Sequence, residues 1–199
     1  KRIKEHIESD TLILTPNNRL RSKILQAWGE YQAEQGQPVW QTPRIAVIEQ
    51  WLNEQWQQLQ AHAYPAAQYS IIRPEQQRVI WESITENCGL MQTEAVAKQA
   101  ASAFSTLLRW NQPVATHDID QQIDKQCRQW FTQYQQQLSS LGLITPEQSY
   151  QIISDAFEHG TLACEKQIYL LGFDDIAPLF LRVLDQASPL VTPITPSDY

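Results

Sequence analysis

Two short polar turns hold the residues of this 199-residue chain whose types and spacing could do chemistry. The first is Thr15-Pro16-Asn17-Asn18-Arg19, which closes the apolar run TLILT with a hydroxyl, two amides and a full positive charge. A strand that ends this way and opens a helix presents unbonded backbone N–H groups and the positive end of the helix dipole. With Thr15, Asn17, Asn18 and Arg19 together, the chemistry is capture of an anion such as a DNA phosphate. The plainer alternative is that Asn17 or Asn18 caps the helix while Arg19 lies in solvent. The second turn is Gly172-Phe173-Asp174-Asp175, after the apolar run QIYLL. An acid at the end of a strand is where a Walker B carboxylate holds Mg2+ or activates water. The alternative is that Asp174 or Asp175 caps the next helix with Phe173 packed inward, and the sequence favours it, because no phosphate loop is there to bring nucleotide and metal.

That loop would read GxxxxGK[ST], since only closely spaced glycines let backbone N–H groups wrap phosphates while a lysine balances their charge. The six glycines are isolated and none precedes a lysine, and the ten residues before Thr11 are too few for a further strand and loop. No catalytic residue, metal ligand set or cofactor is therefore expected in this segment. His6, His62, His117 and His159 have no ligand or relay spacing, and GxSxG, HExxH and CxxC are absent. Cys88, Cys127 and Cys164 lie far apart and are odd in number, which suits a reduced, cytoplasmic protein.

The elements that must position the turns follow from periodicity. TLILT is short, β-branched and apolar, as a buried parallel strand is. Leu20, Ile24, Ala27, Trp28 and Tyr31 then recur at helical spacing as far as Gly36. Pro43 to Ile48 reads as a second strand and feeds an amphipathic run through Trp51, Leu52, Trp56 and Leu59. The middle of the chain is expected to be almost wholly helical. Pro74 opens one helix, Val96, Ala100, Phe104 and Leu108 mark the next, and Ile119 to Leu141 hold the period longest. Thr145, Pro146 and Gln148 have the spacing of a capping box. Strand pattern returns in QIYLL and in PLVTPI, with a helix between them from about Ile176 to Ala187. Most tryptophans fall on apolar helix faces and read as core; Trp40, in QPVWQTP, is the exception. The glutamine-rich stretches near Gln57 and Gln135 keep helical period and read as solvated faces.

The fold class predicted is α/β, a parallel sheet of about three or four strands with a large, mainly helical insertion. The sheet region takes residues 1–47 and 161–199, and the insertion 48–160. Hydrophobic residues make up 42% of the chain, a globular composition. A net charge of -7 argues against a free-standing, non-specific nucleic-acid binder while leaving a local basic patch open. No apolar run approaches the ~20 residues of a membrane span. The start without Met and the stop just after LVTPITP suggest a piece of a longer protein.

TLILTPNNRLRSKI, VWQTPRIAVIEQWL, RPEQQRVIWESI and YLLGFDDIAPLFLRVL, in this order, resemble the amino-terminal part of a bacterial DNA-repair family. That family is similar to the B subunit of the AddAB helicase-nuclease, with an inactivated superfamily 1 helicase-like region ahead of a RecB-type nuclease domain. The resemblance implies that Thr15 to Arg19 match motif Ia, which touches single-stranded DNA through Thr and Asn. It also implies that Gly172, Phe173, Asp174 and Asp175 fall in a degenerate motif II, that the sheet is 1A-like, and that the helices between are a 1B-like insertion. The function it implies is a non-catalytic module that helps bind DNA and supports a downstream nuclease domain, with a helicase-nuclease subunit as a further partner. Two alternatives stand beside it: a protein-interaction scaffold without DNA binding, and part of an active ATP-dependent enzyme whose phosphate loop lies outside this segment.

Overall fold

A computed structural model of the chain describes residues 11–86, 93–111 and 121–194. In chain order the elements are β1 (Thr11–Thr15), α1 (Asn18–Glu34), β2 (Arg44–Val47), α2 (Ile48–Ala61), a 3-10 turn (Pro65–Ala67), β3 (Ser70–Ile71) and α3 (Pro74–Thr85). They continue as α4 (Thr93–Trp110), α5 (Gln121–Ser140), β4 (Leu143–Ile144), α6 (Pro146–Glu158), β5 (Gln167–Leu171), α7 (Pro178–Ala187) and β6 (Val191–Ile194). The chain is α/β and divides into two compact units.

The first unit takes Lys1–His62, Ile153–Ile176 and Leu181–Tyr199. Its sheet has four parallel strands in the order β2-β1-β5-β6. All five residues of β1 are buried, which is why TLILT carries no polar alternation. Successive residues point to opposite faces. Ile13, Ile45, Tyr169, Leu171 and Ile194 form one face and pack with Leu20, Ile24 and Leu25 of α1. Leu12, Leu14, Ile168 and Leu170 point to the other face and are at most 4% exposed, so that face is covered too. Burying each such side chain stabilises the fold by about 1.5–3 kcal/mol.

Helix α2, placed by its sequence with the helical insertion, groups with the sheet instead, and the division falls after His62. The physical reason is direct continuity: Val47, the last residue of β2, is also the N-cap of α2. From there α2 buries Ile48, Trp51, Leu52, Trp56 and Leu59, and Trp51 stacks on Phe157 with ring centroids 6.0 Å apart.

The second unit takes Ala63–Ile152 and Ala177–Phe180. Its core joins α3, α4 and α5 through Ile80, Trp81, Phe104, Phe131, Tyr134 and Leu138. Trp81 lies at the centre, stacked on Tyr134 at 4.4 Å and edge-on to Phe104 and Phe131 at 6.0 Å each. Such ring pairs add about 0.5–1.5 kcal/mol beyond their buried area. Burial pushes the Tyr134 phenol up to about 12, against the pull of the Gln77 and Trp81 side chains beside it. Among the described residues no hydrogen bond of good geometry reaches Tyr134 Oη or Trp81 Nε1. This middle region is almost wholly helical, as its periodicity predicts, with one exception. Ser70–Ile71 and Leu143–Ile144 pair as a two-residue parallel ladder, too short to leave an alternating pattern. Ile119 lies outside the described residues.

Glu147 is buried in the first turn of α6, where it suits the helix dipole. It accepts from Ser105 Oγ and pairs with Arg109 at 3.0 Å, whose guanidinium stands 5.7 Å from the Phe180 ring centre. The capping box opening α6 is formed: Thr145 N donates to Gln148 Oε1 at 2.8 Å, and Gln148 N donates to Thr145 Oγ1 at 3.2 Å. Among the described residues no helix is long and apolar enough to cross a membrane.

Candidate functional site

The pairing of β1 with β5, in which Leu14 stands opposite Leu170, carries both polar turns to the same edge of the sheet. From β1 the chain moves to β2 on one side, and from β5 to β6 on the other. The strand order therefore reverses between the two turns. In an open parallel sheet this reversal leaves a crevice beyond the carboxyl ends of the strands, the usual place for a ligand. The turns also touch. Gly172 has φ +78°, and a Cβ built there would lie 2.3 Å from Leu20 Cδ2 and 3.8 Å from Pro16 Cδ. The left-handed backbone favours glycine, and any side chain there would also have to displace the tip of Leu20.

Thr15, expected to offer its hydroxyl to a ligand, is fully buried. Its Oγ1 lies 3.3 Å from both Asn17 O and Ala46 O, and its one proton serves those two carbonyls. Thr15 thus fastens the turn to β2 rather than reaching outward. Asn17 is the N-cap of α1: its backbone is extended and its Oδ1 accepts from Leu20 N at 3.0 Å. Asn18 and Arg19 are exposed, and Arg19 makes no ion pair among the described residues. The first turn of α1 holds no acid, although a carboxylate is the charge a helix start favours. Arg21 and Lys23 follow instead. Arg21 donates from Nε to Ile45 O at 2.9 Å, a tie to β2 that sequence reasoning missed. The available signal was its position two residues beyond Arg19, which turns it toward the neighbouring strand.

The Gly172 turn differs from its expectation. Asp174 and Asp175 are exposed and Phe173 is half-buried. Neither acid caps the helix, because α7 begins only at Pro178, so its N-cap position falls on Ala177. Asp175 Oδ1 accepts from Ile176 N at 2.9 Å instead, a bond within the loop. Among the described residues no group of three His, Cys, Asp or Glu side chains could hold a metal ion.

The site is therefore a pair of touching turns of opposite sign. One carries Arg19 and the start of α1; the other carries two solvated carboxylates. An anion is attracted to the first and repelled by the second, which confines it to the α1 side. Four tryptophans read as core, Trp51, Trp56, Trp81 and Trp130, are buried; Trp110 is 37% exposed, and Trp40 is 39% exposed in its loop. No family model and no curated protein matches the chain.

Proposed function

We propose that this chain is a non-catalytic, superfamily 1 helicase-like module of a larger DNA repair or recombination protein. In this reading the sheet is 1A-like and the helices between about Ile48 and Gly160, inserted before β5, are the 1B-like insertion. The module holds single-stranded DNA weakly and supports a downstream nuclease domain, beside a partner helicase-nuclease subunit, in the cytoplasm. The observation that carries the reading is the meeting of the Thr15–Arg19 and Gly172–Asp175 turns at the reversal of strand order. A phosphate would rest against the start of α1 and the guanidinium of Arg19. Thr15 and Asn17 hold that helix start in place; Asp174 and Asp175 keep the strand from crossing the opposite turn.

The test is fluorescence anisotropy with labelled single-stranded and duplex oligonucleotides across a salt series. The expected result is weak affinity that falls as salt rises and drops further in Arg19→Ala, with a salt slope smaller by about one contact. Equal affinity of wild type and Arg19→Ala would defeat the proposed contact. A second reading, a protein-interaction scaffold, is favoured by Val39 and Trp40, which are 83% and 39% exposed in one loop. It predicts no salt-dependent DNA binding.

A further inference from the structure

Among the described residues the four-stranded sheet has two flanks, the outer sides of β2 and β6, and the phase of its hydrogen bonds fixes which backbone groups each flank presents. Along a strand the N–H and C=O of one residue point to one side and those of the next to the other. In a parallel pair such a residue is answered by the two that bracket its register partner. Ile168 N donates to Leu190 O at 2.9 Å, so Ile168 is turned toward β6 and is answered by Leu190 and Thr192. Val191 and Pro193 therefore face outward. On the other side Tyr169 is turned toward β1, where Leu12 and Leu14 answer it across its partner Ile13. Ile13 is then turned toward β2, and Arg44 and Ala46 answer it across Ile45. Ile45 is the residue of β2 left facing outward.

Both flanks are closed at those outward groups. The Ile45 carbonyl accepts from Arg21 Nε at 2.9 Å, and Ile45 is only 6% exposed although it lies in an outermost strand. Pro193 has no N–H to give, and it stands exposed beside Thr192. A strand laid against β6 would meet the Val191 N–H and then a gap where the next donor should be. Neither device disturbs the sheet itself. Arg21 bonds a carbonyl that β1 does not use, and Pro193 removes no bond to β5, as a proline at Thr192 would. RIAV and VTPI are otherwise apolar and rich in β-branched residues, the character of strands that pair. An unpaired edge of that kind is a template for a strand of another molecule, and charged side chains and prolines on the edge are what prevents it. Another copy of the chain carries the same two strands. We propose that Arg21 and Pro193 guard the flanks of this sheet against pairing with the β2 and β6 strands of a second copy.

The experiment compares the whole 199-residue protein with Arg21→Met, which keeps the apolar stem and loses the donor, and with Pro193→Val, which restores an N–H. Light scattering after gel filtration reads mass, circular dichroism reads folding, and amide hydrogen exchange reads Ile45 and Val191. At about 100 μM each folded variant should gain mass over wild type. Exchange should slow at least about tenfold at Ile45 in Arg21→Met and at Val191 in Pro193→Val, because there the outward N–H has gained a partner. Leu52→Ala, which opens a cavity under α2, is the control for lost stability and should protect neither amide. Pro193 is exposed, so its variant tests one flank even where the Arg21 tie is needed for folding. Variants that protect neither amide would overturn the proposal. So would a wild type that already pairs through these amides, or equal protection in Leu52→Ala, which would trace the pairing to lost stability.

Discussion

The turns after β1 and β5 occupy equivalent places on neighbouring strands, yet they treat the next helix in opposite ways. After β1 the chain reaches Asn17 at once, and α1 begins with its cap in place and its dipole aimed at the sheet edge. After β5 the chain runs from Gly172 to Ala177 before α7 starts, so the acids there stand in solvent with no helix end to serve. Two polar turns that look alike in sequence are thus a structural cap beside an open cation on one side and a solvated loop on the other. The lesson is that an N-cap acts only within one turn of its helix. A displacement of two residues is enough to remove the role.

The hardest way to break this comparison is Gly172→Ala, which adds a Cβ against Leu20 and forces a left-handed alanine. It should lower stability by about 1–3 kcal/mol in a denaturant titration, and Leu20→Ala added to it should recover only the steric share. No loss would mean the two turns do not touch. A finer comparison sets Asn17→Ala against Asp175→Ala. The first should cost about 1 kcal/mol and the second less than about 0.5 kcal/mol. Equal losses would show that both side chains cap. The smallest effect is that of Arg19→Gln, where removing a cation from the positive end of α1 should raise stability by a few tenths of a kcal/mol at low salt and by less at high salt. A clear loss would give Arg19 a structural role.

Much of the fold was legible because its signals are local. TLILT and QIYLL read as buried strands from their unbroken apolar character, and both are in the sheet. The Thr145–Gln148 spacing is a capping box because both bonds lie within one turn. Pro74 opens α3 for the same reason. What sequence could not carry was depth and distance. Thr15 looks polar and available, yet the strand's full burial takes its hydroxyl inward. Ser70–Ile71 and Leu143–Ile144 are too short for any period. Asp174 and Asp175 were matched to a helix start that lies two residues further on. The contact of Gly172 with Leu20 joins positions far apart in the chain, and nothing in either segment alone announces it.

The central pairing of β1 with β5 also orders events during synthesis. Leu12 waits roughly 155 residues for Ile168, about 8–30 s at ordinary translation rates. For that time β1 has β2 alone beside it and an open hydrogen-bonding edge, the kind of edge that recruits foreign strands. The helices of residues 63–152, whose contacts are closer in sequence, emerge during the same interval and can pack first. The sheet edge with the two polar turns is then completed only once β5 has emerged. A nascent chain halted before β5 lacks both the strand that pairs with β1 and the Gly172 turn, so the site cannot form.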